Sequence, residues 1–339
     1  MPSAEDVARK AGVSRSAVSR AFTPGASVAK ETRRKVMAAA RALQYRPNLL
    51  ARSLITGRSR IIGLVAAYLD NQYYPLVLER LCQALQERGF HVLVFIAAQT
   101  GVDVERVLTE ILDYQVDGII MASASISGTL AQRCTAEGVP VVQFNRAQDD
   151  PRISAVTSDN FAGGQMLARF LLAGGHRRIG YIAGWAGAST QRDREAGFRA
   201  GLAEAGRPLY ARDTGDYSFS GAQDAARRMF QGRRRPDAVF VANDHMAIAA
   251  MDVIRFELGL RIPDDVSVVS YDDVPQAGWP TYQLTTIRQP TEAMVAAVVE
   301  VLLKRIAHGD ETPTRVCLPV ELVIRGSART PEERPHARL

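Results

Sequence analysis

The chain has 339 residues, of which 47% are hydrophobic and 23% charged, values of a globular protein too long for one ordinary core and expected to form two or three domains. Its net charge of +6 is uneven: residues 1–60 hold 13 Lys+Arg against 3 Asp+Glu, and the rest of the chain holds 29 against 33. No apolar run approaches the 18 residues of a membrane span, no secretory signal pattern opens the chain, and the three cysteines (Cys82, Cys134, Cys317) are far apart, so a cytoplasmic protein with reduced thiols is expected.

In chain order, Ser3 with Asp6 forms a capping pair for a first helix whose apolar face is Val7, Ala8 and Ala11. Gly12 is a stop that tolerates positive φ, Val13 plugs the turn, and Ser14 caps a second helix running from Arg15 to Phe22. Ala17, Val18 and Ala21 face inward at helical spacing, which leaves Arg15, Ser16, Ser19 and Arg20 facing out. A third helix, about Lys30 to Gln44, buries Val36, Ala39, Ala40 and Leu43. Two short helices around a tight Gly-containing turn form a helix-turn-helix, whose second helix lies in the major groove. Arg at its exposed positions suits bidentate contact with guanine, and Ser is less selective.

The string Asp6 to Arg20, followed by Thr32-Arg33, Tyr45-Arg46-Pro47-Asn48 and Ala51-Arg52-Ser53-Leu54, resembles the lactose-repressor (LacI/GalR) family of bacterial transcription regulators, and the resemblance extends to about Arg325. One departure is Ala29, where the family usually caps helix three with Ser or Thr; loss of such a cap costs roughly 1 kcal/mol. The resemblance implies DNA contacts by Arg15, Ser16, Ser19, Arg20, Thr32, Arg33, Asn48, Ala51 and Leu54. It also implies that Leu49 to Ile55 is a hinge helix that forms only on operator DNA and wedges Leu54 into the minor groove. A helix that short is not stable alone in water. The bland alternative is a linker whose Leu54 packs on the body.

From Ile61 short apolar runs alternate with helical stretches: strands at Ile61–Ala66, Val92–Ile96, Gly118–Met121, Val139–Phe144, Ile179–Ile182, Ala238–Val241 and Val266–Tyr271, with helices between them. This alternation predicts parallel sheets with helices on both faces, and a break near residue 159 divides them into two lobes. The expected architecture is an all-α helix-turn-helix head on a two-lobed α/β body like that of periplasmic binding proteins. The head spans 1–45, hinge and linker 46–60, and the body 61–326. Lobe 1 takes 61–158 plus 288–318, lobe 2 takes 159–287 plus 319–326, and a polar tail covers 327–339.

Ligands of such sheets bind beyond the carboxyl ends of the strands, here between the lobes. Carried over by motif, the family resemblance implies effector contacts by Tyr73, Tyr74, Ser123, Asn145, Thr190, Arg194, Tyr217, Asn243, Asp272 and Gln289. Amide, carboxylate and guanidinium groups around a stacking aromatic suit a small polyhydroxylated ligand, a sugar or related metabolite. Asp244 and Asp273 are alternatives that cap or buttress loops, and Trp279 either lines the cleft or covers the core. No dinucleotide, phosphate-loop or nucleophile-elbow motif is present, no metal-ligand spacing occurs, and no nucleophile stands beside a base, so neither catalysis nor a cofactor is expected. The reading is a ligand-responsive repressor that binds a pseudo-palindromic double-stranded DNA operator as a homodimer, since the short polar end cannot form a coiled coil. A solute-binding module or an enzyme carrying a DNA-binding head are the alternatives.

Overall fold

The computed structural model describes residues 2–23, 25–46, 58–67, 69–97, 101–122, 128–308 and 312–330. The chain divides into two compact units, Met1–Arg60 and Ile61–Leu339.

The first unit holds three helices, α1 (Ala4–Ala11), α2 (Arg15–Ala21) and α3 (Lys30–Ala42). Each boundary has a local cause. Ser3 Oγ accepts from the Asp6 backbone N–H at 3.2 Å while Asp6 Oδ2 accepts from Ser3 N–H at 2.9 Å, a reciprocal box that satisfies two otherwise orphaned donors. Gly12 ends α1 at φ 66°, which costs a glycine no Cβ clash. Ser14 Oγ caps α2 by accepting from Ala17 N–H at 3.2 Å. Ala29 gives α3 no side-chain cap. Val7, Ala8, Val18, Ala21, Val36, Ala39 and Ala40 form the core, and Phe22 and Tyr45 meet edge to face at 5.8 Å. The hinge segment Leu49 to Ile55, with Asn48, Ala51 and Leu54, lies outside the described residues.

The second unit carries two six-stranded sheets among its described residues. The first sheet has the order β11 (Arg315–Leu318), β5 (Ser154–Ser158), β4 (Val141–Phe144), β3 (Gly118–Ala122), β1 (Ile61–Ala66), β2 (His91–Ile96), all parallel. The second has the order β12 (Glu321–Val323), β10 (Thr285–Arg288), β9 (Ser267–Asp272), β8 (Ala238–Val241), β6 (Ile179–Ala183), β7 (Ala211–Thr214), in which only β12 runs antiparallel. Strands β3, β4, β6, β8 and β9 are buried along their whole length, which is why they read as continuous apolar runs rather than alternating ones. The lobe 1 helices are α4 (Tyr73–Glu87), α5 (Gly101–Asp113) and α6 (Gly128–Ala136). The second sheet carries α7 (Asn160–Ala173), α8 (Ser189–Glu204), α9 (Phe219–Phe230) and α10 (Asp244–Asp252). Helix α11 (Thr291–His308) returns to pack on α4, β4 and β5 of the first sheet.

The chain passes from sheet to sheet at 158–160, at 288–291 and at 318–321. The polar tail expected from residue 327 begins later than the sequence suggested. Ser327 is fully buried, with its Oγ donating to the Val268 carbonyl at 2.6 Å and accepting from Thr285 N–H at 2.8 Å. Its carbonyl accepts from Val268 N–H at 2.8 Å, so these residues satisfy backbone groups of β9 and β10.

Helices α7 and α8 pack backbone against backbone, because glycines stand at their contact. A Cβ on Gly197 would overlap the Phe161 carbonyl, and one on Gly164 the Arg194 carbonyl. This approach brings Arg194 of α8 beside Asn160 at the start of α7. Gly197→Ala is therefore expected to cost about 1–3 kcal/mol of body stability by forcing the helices apart. Urea denaturation checks it; an unchanged midpoint would contradict the close-packing assignment.

Candidate functional site

In the head, α2 presents Arg15, Ser16, Ser19 and Arg20 to solvent, while Ala17, Val18 and Ala21 are buried. The single turn of offset between these two sets follows from the 3.6-residue period. The Arg20 Nε–H donates weakly to the Ser16 carbonyl at 3.4 Å, which leaves the guanidinium end pointing along the exposed face. Thr32 is half-buried at the start of α3. Arg33 is placed differently from an outward DNA contact. Its Nη1 donates to the Ala21 carbonyl at 2.9 Å and its Nη2 to Ala26 at 3.3 Å, so it clamps the C-terminal end of α2, where a cation also meets the negative end of the helix dipole.

In the body, a cavity of about 280 Å³, counting the part open to solvent, is lined by Asn71, Tyr74, Asn145, Arg146, Thr190, Arg194, Tyr217, Asn243 and Asp272. Seven of these nine were expected from the sequence. They come from both lobes: Tyr74 from α4 and Asn145 from the turn after β4 on one side, Thr190 and Arg194 from α8, Asn243 from the cap of α10 and Asp272 from the end of β9 on the other. All lie beyond the carboxyl ends of parallel strands, where side chains converge from separate loops.

Arg194 organises the site. It is 2% exposed and lies 3.7 Å from the centre of the Tyr271 ring. Its Nε donates to Asn160 Oδ1 at 2.8 Å, its Nη1 to the Ala242 carbonyl at 2.7 Å and its Nη2 to Asp272 Oδ1 at 3.1 Å. Burial opposes this charge, but Asp272 and the surrounding tyrosines outweigh it and hold the guanidinium above its ordinary range. Burial raises Asp272, with Arg194 and Gln289 opposing. Gln289 does not line the cavity. Its Nε2 donates to Asp272 Oδ1 at 2.8 Å, and its Oε1 accepts from Ser158 Oγ at 2.8 Å. Asn160 Nδ2 donates to the Ser158 carbonyl at 3.0 Å, which closes a ring: Arg194, Asp272, Gln289, Ser158, Asn160. Two of the three segments joining the lobes, at 158–160 and 288–291, are thus tied into the floor of the cavity.

The other expected residues divide. Tyr73 is buried behind the wall, edge to face with Tyr74 at 5.6 Å, with its phenol raised well above its usual range by burial and by the nearby Asp272. Ser123 lies outside the described residues. Asp244 and Asp273 buttress loops: Asp244 accepts from Val274 N–H at 2.9 Å and from Thr286 Oγ1 at 2.7 Å, and Asp273 accepts from Arg325 at 2.6 Å and Arg288 at 2.7 Å. Trp279 is 52% exposed, so it neither lines the cleft nor covers the core. The sequence reading missed Asn71 and Arg146 as cavity residues. Both lie in loops, where no periodicity marks a direction, although Asn71 opens the same Asn-Gln-Tyr-Tyr string and Arg146 follows Asn145 directly.

Three cavity residues hold unusual backbone: Asn145 at φ 68°, Tyr217 at φ 60° and Asp272 at φ 122°. Such conformations cost on the order of 1–3 kcal/mol each and concentrate where side chains must be aimed. Tyr217 is aimed across Gly184, whose missing Cβ leaves room for the ring, and its hydroxyl meets Thr190 Oγ1 at 3.2 Å. At the mouth, groups of the two lobes touch directly: Ala147 N–H donates to Ser189 Oγ at 3.0 Å and His245 Nδ1 lies 3.2 Å from Gln72 Oε1.

Beneath the site, burial and then the charge of Asp272 push Asp244 up to about 8. The folded chain therefore keeps a proton that the unfolded chain releases near pH 4. That contribution to stability is complete below pH 4 and is lost as pH rises through about 8. Between pH 7 and 8 the unfolding free energy should fall by up to ~1.4 kcal/mol per pH unit. Asp244→Asn, which keeps an acceptor for Val274 and a donor for Thr286, should flatten that slope; urea titrations across this window check it, and an equal slope in the variant would contradict it.

No helix among the described residues is long and apolar enough to cross a membrane, and none of their His, Cys, Asp and Glu cluster in threes that could hold a metal. Comparison with known proteins matches residues 4–48 to bacterial regulatory proteins of the lacI family and residues 168–328 to a periplasmic binding protein-like domain. The HTH-type transcriptional regulator CelR of Thermobifida fusca is 34% identical over 336 residues, covering 96% of this chain and 98% of the relative. The ribose operon repressor of Escherichia coli K12 is 32% identical, covering 97% of this chain and all of the relative. Among solved structures, a CelR–cellobiose complex superposes with a TM-score of 0.73 at 31% identity, covering 97% of this chain and 100% of that one. A lac repressor dimer bound to operator and the anti-inducer ONPF superposes with a TM-score of 0.86 at 29% identity, covering 96% and 98%.

Proposed function

The chain belongs to the lacI family of bacterial regulatory proteins, and on that premise we propose that it binds a pseudo-palindromic operator as a homodimer and answers to a small polar metabolite, a sugar or a relative of one, held between its lobes. Arg15, Ser16, Ser19 and Arg20 read base edges in the major groove, with Thr32 beside the backbone and Arg33 fixing the end of the reading helix. Two-fold symmetry of the dimer would be matched by two half-sites. Tyr74, Asn145, Thr190, Arg194, Tyr217, Asn243 and Asp272 receive the ligand, and Gln289 positions Asp272.

The observation that carries this reading is the ring of hydrogen bonds from Arg194 through Asp272, Gln289, Ser158 and Asn160. A ligand that engages Arg194 or Asp272 acts on two of the segments about which the lobes turn. Its binding energy then biases one interlobe angle over another, which is all that a ligand can do to a pre-existing equilibrium. The bias reaches the head through residues 46–60, whose folding on DNA the body would favour or oppose. Stacking aromatics, amides and one carboxylate–guanidinium pair match the hydroxyl-rich edge and apolar face of a sugar ring.

Selection of random duplexes by the full chain tests the DNA half. The expected product is an inverted repeat with half-sites about one helical turn apart, bound with a steep salt dependence. Recovery of no common sequence would overturn operator recognition.

A further inference from the structure

The charge of the cavity wall narrows the ligand class, an inference that rests on the effector reading above. The lining holds two guanidinium groups, Arg146 and Arg194, and one carboxylate, Asp272. That carboxylate is already engaged by Arg194 at 3.1 Å and by Gln289 at 2.8 Å. Arg146 belongs to the turn after β4 of lobe 1 and is 3% exposed. Its guanidinium reaches across to lobe 2, 5.8 Å from the Trp185 ring and 6.0 Å from the Tyr217 ring. A guanidinium cannot shed its proton when water is removed, as a lysine or histidine can. A ligand that fills this space displaces water from a wall of net positive charge. If the ligand is neutral, the wall loses hydration and gains no opposite charge; if it is an anion, the loss is offset by a charge-assisted hydrogen bond in a medium of low dielectric.

We propose that the effector is a sugar acid, an aldonate or uronate, whose carboxylate is received by Arg146 against Trp185 and Tyr217 while its hydroxyls meet the Arg194–Asp272 pair, Asn243 and Asn145. The small volume of the cavity, near the lower end for ligand sites, favours a monosaccharide over longer chains. The carboxylate draws a lobe 1 cation and the lobe 2 wall onto one ligand, so acid binding and lobe closure are the same event.

The test uses the full chain and matched probes: glucose, gluconate and glucuronate; galactose, galactonate and galacturonate; and glucose 6-phosphate. Thermal shift ranks them, and calorimetry gives each Kd. At least one carboxylate should bind about tenfold to a hundredfold more tightly than its neutral parent, the range of one charged hydrogen bond. Arg146→Gln should erase that preference and Arg146→Lys should keep most of it. Neutral parents binding as well as their acids would overturn the inference and leave the sugar reading standing. So would a tenfold preference that survives Arg146→Gln, or a glucose 6-phosphate Kd below that of every carboxylate. No binding by any probe would overturn the monosaccharide reading together with the inference. Should Arg146→Gln fail to fold, the comparison of acids with neutral parents on the unaltered chain decides the matter alone.

Discussion

Asp272→Ala should destabilise the body by about 3–5 kcal/mol and abolish its response to the cleft ligand. The size follows from what the substitution leaves behind. Arg194 is 2% exposed and keeps its positive charge, so removal of Asp272 strands a buried guanidinium, which is far costlier than loss of the whole pair. Gln289 Nε2 loses its acceptor at the same time, and the tie from the cavity to 158–160 and 288–291 is cut. Chemical denaturation measures the cost. Asp272→Asn, which keeps an acceptor for Gln289, should cost less. Arg194→Leu with Asp272→Leu should recover part of the loss of either single change, because neither charge is then buried alone. A loss below about 1 kcal/mol for Asp272→Ala would contradict the assignment of the pair as the organising contact of the cavity. A full ligand response in a folded Asp272→Asn chain would separate the ring from signalling.

Arg20→Ala should weaken binding to the selected operator by about 1–3 kcal/mol and relax base preference at one position per half-site. The side chain stands on the exposed face of α2 with its Nε held loosely by Ser16, so its removal disturbs no core contact of the head. Affinities for the operator and for random DNA, measured at one salt concentration, separate reading from charge. An equal loss on both would make Arg20 a phosphate contact. By contrast, Arg33 is held by Ala21 and Ala26, and its replacement would act first on the stability of the head.

The parts of the fold that were legible in the sequence are those whose cause is local. Ser3 with Asp6, Gly12, and Ser14 each mark a helix end by a bond or dihedral within four residues, and the structure has those bonds. Strands buried on both faces announced themselves as apolar runs. Edge strands did not: Ala211–Thr214, Arg315–Leu318 and Glu321–Val323 are short, half-exposed and polar, and only their pairing partners make them strands. Helix α7 was read from Gly164, four residues late, because Gly163 and Gly164 look like breakers when their packing against α8 is unknown.

The same division holds at the site. Residues at strand ends carried a direction that could be inferred from the alternation of the fold. Arg146 and Asn71 sit in turns whose backbone course no pattern predicts. The role of Gln289 depends on Ser158 and Asp272, 131 and 17 positions away, and so is a property of the folded lobes alone. Ser327, read as the start of a tail, is held by β9 and β10 in the same non-local way.

The central claim is that one ligand in the cleft changes how the head holds DNA. Titrating the selected operator with the full chain, with and without a saturating cleft ligand identified by thermal shift, tests it directly. Coupling between two such sites is typically 1–3 kcal/mol, so the operator Kd should change by roughly 5- to 150-fold, and the ligand Kd should change by the same factor when operator is present. A ligand that stabilises the body and leaves the operator Kd unchanged would contradict the account.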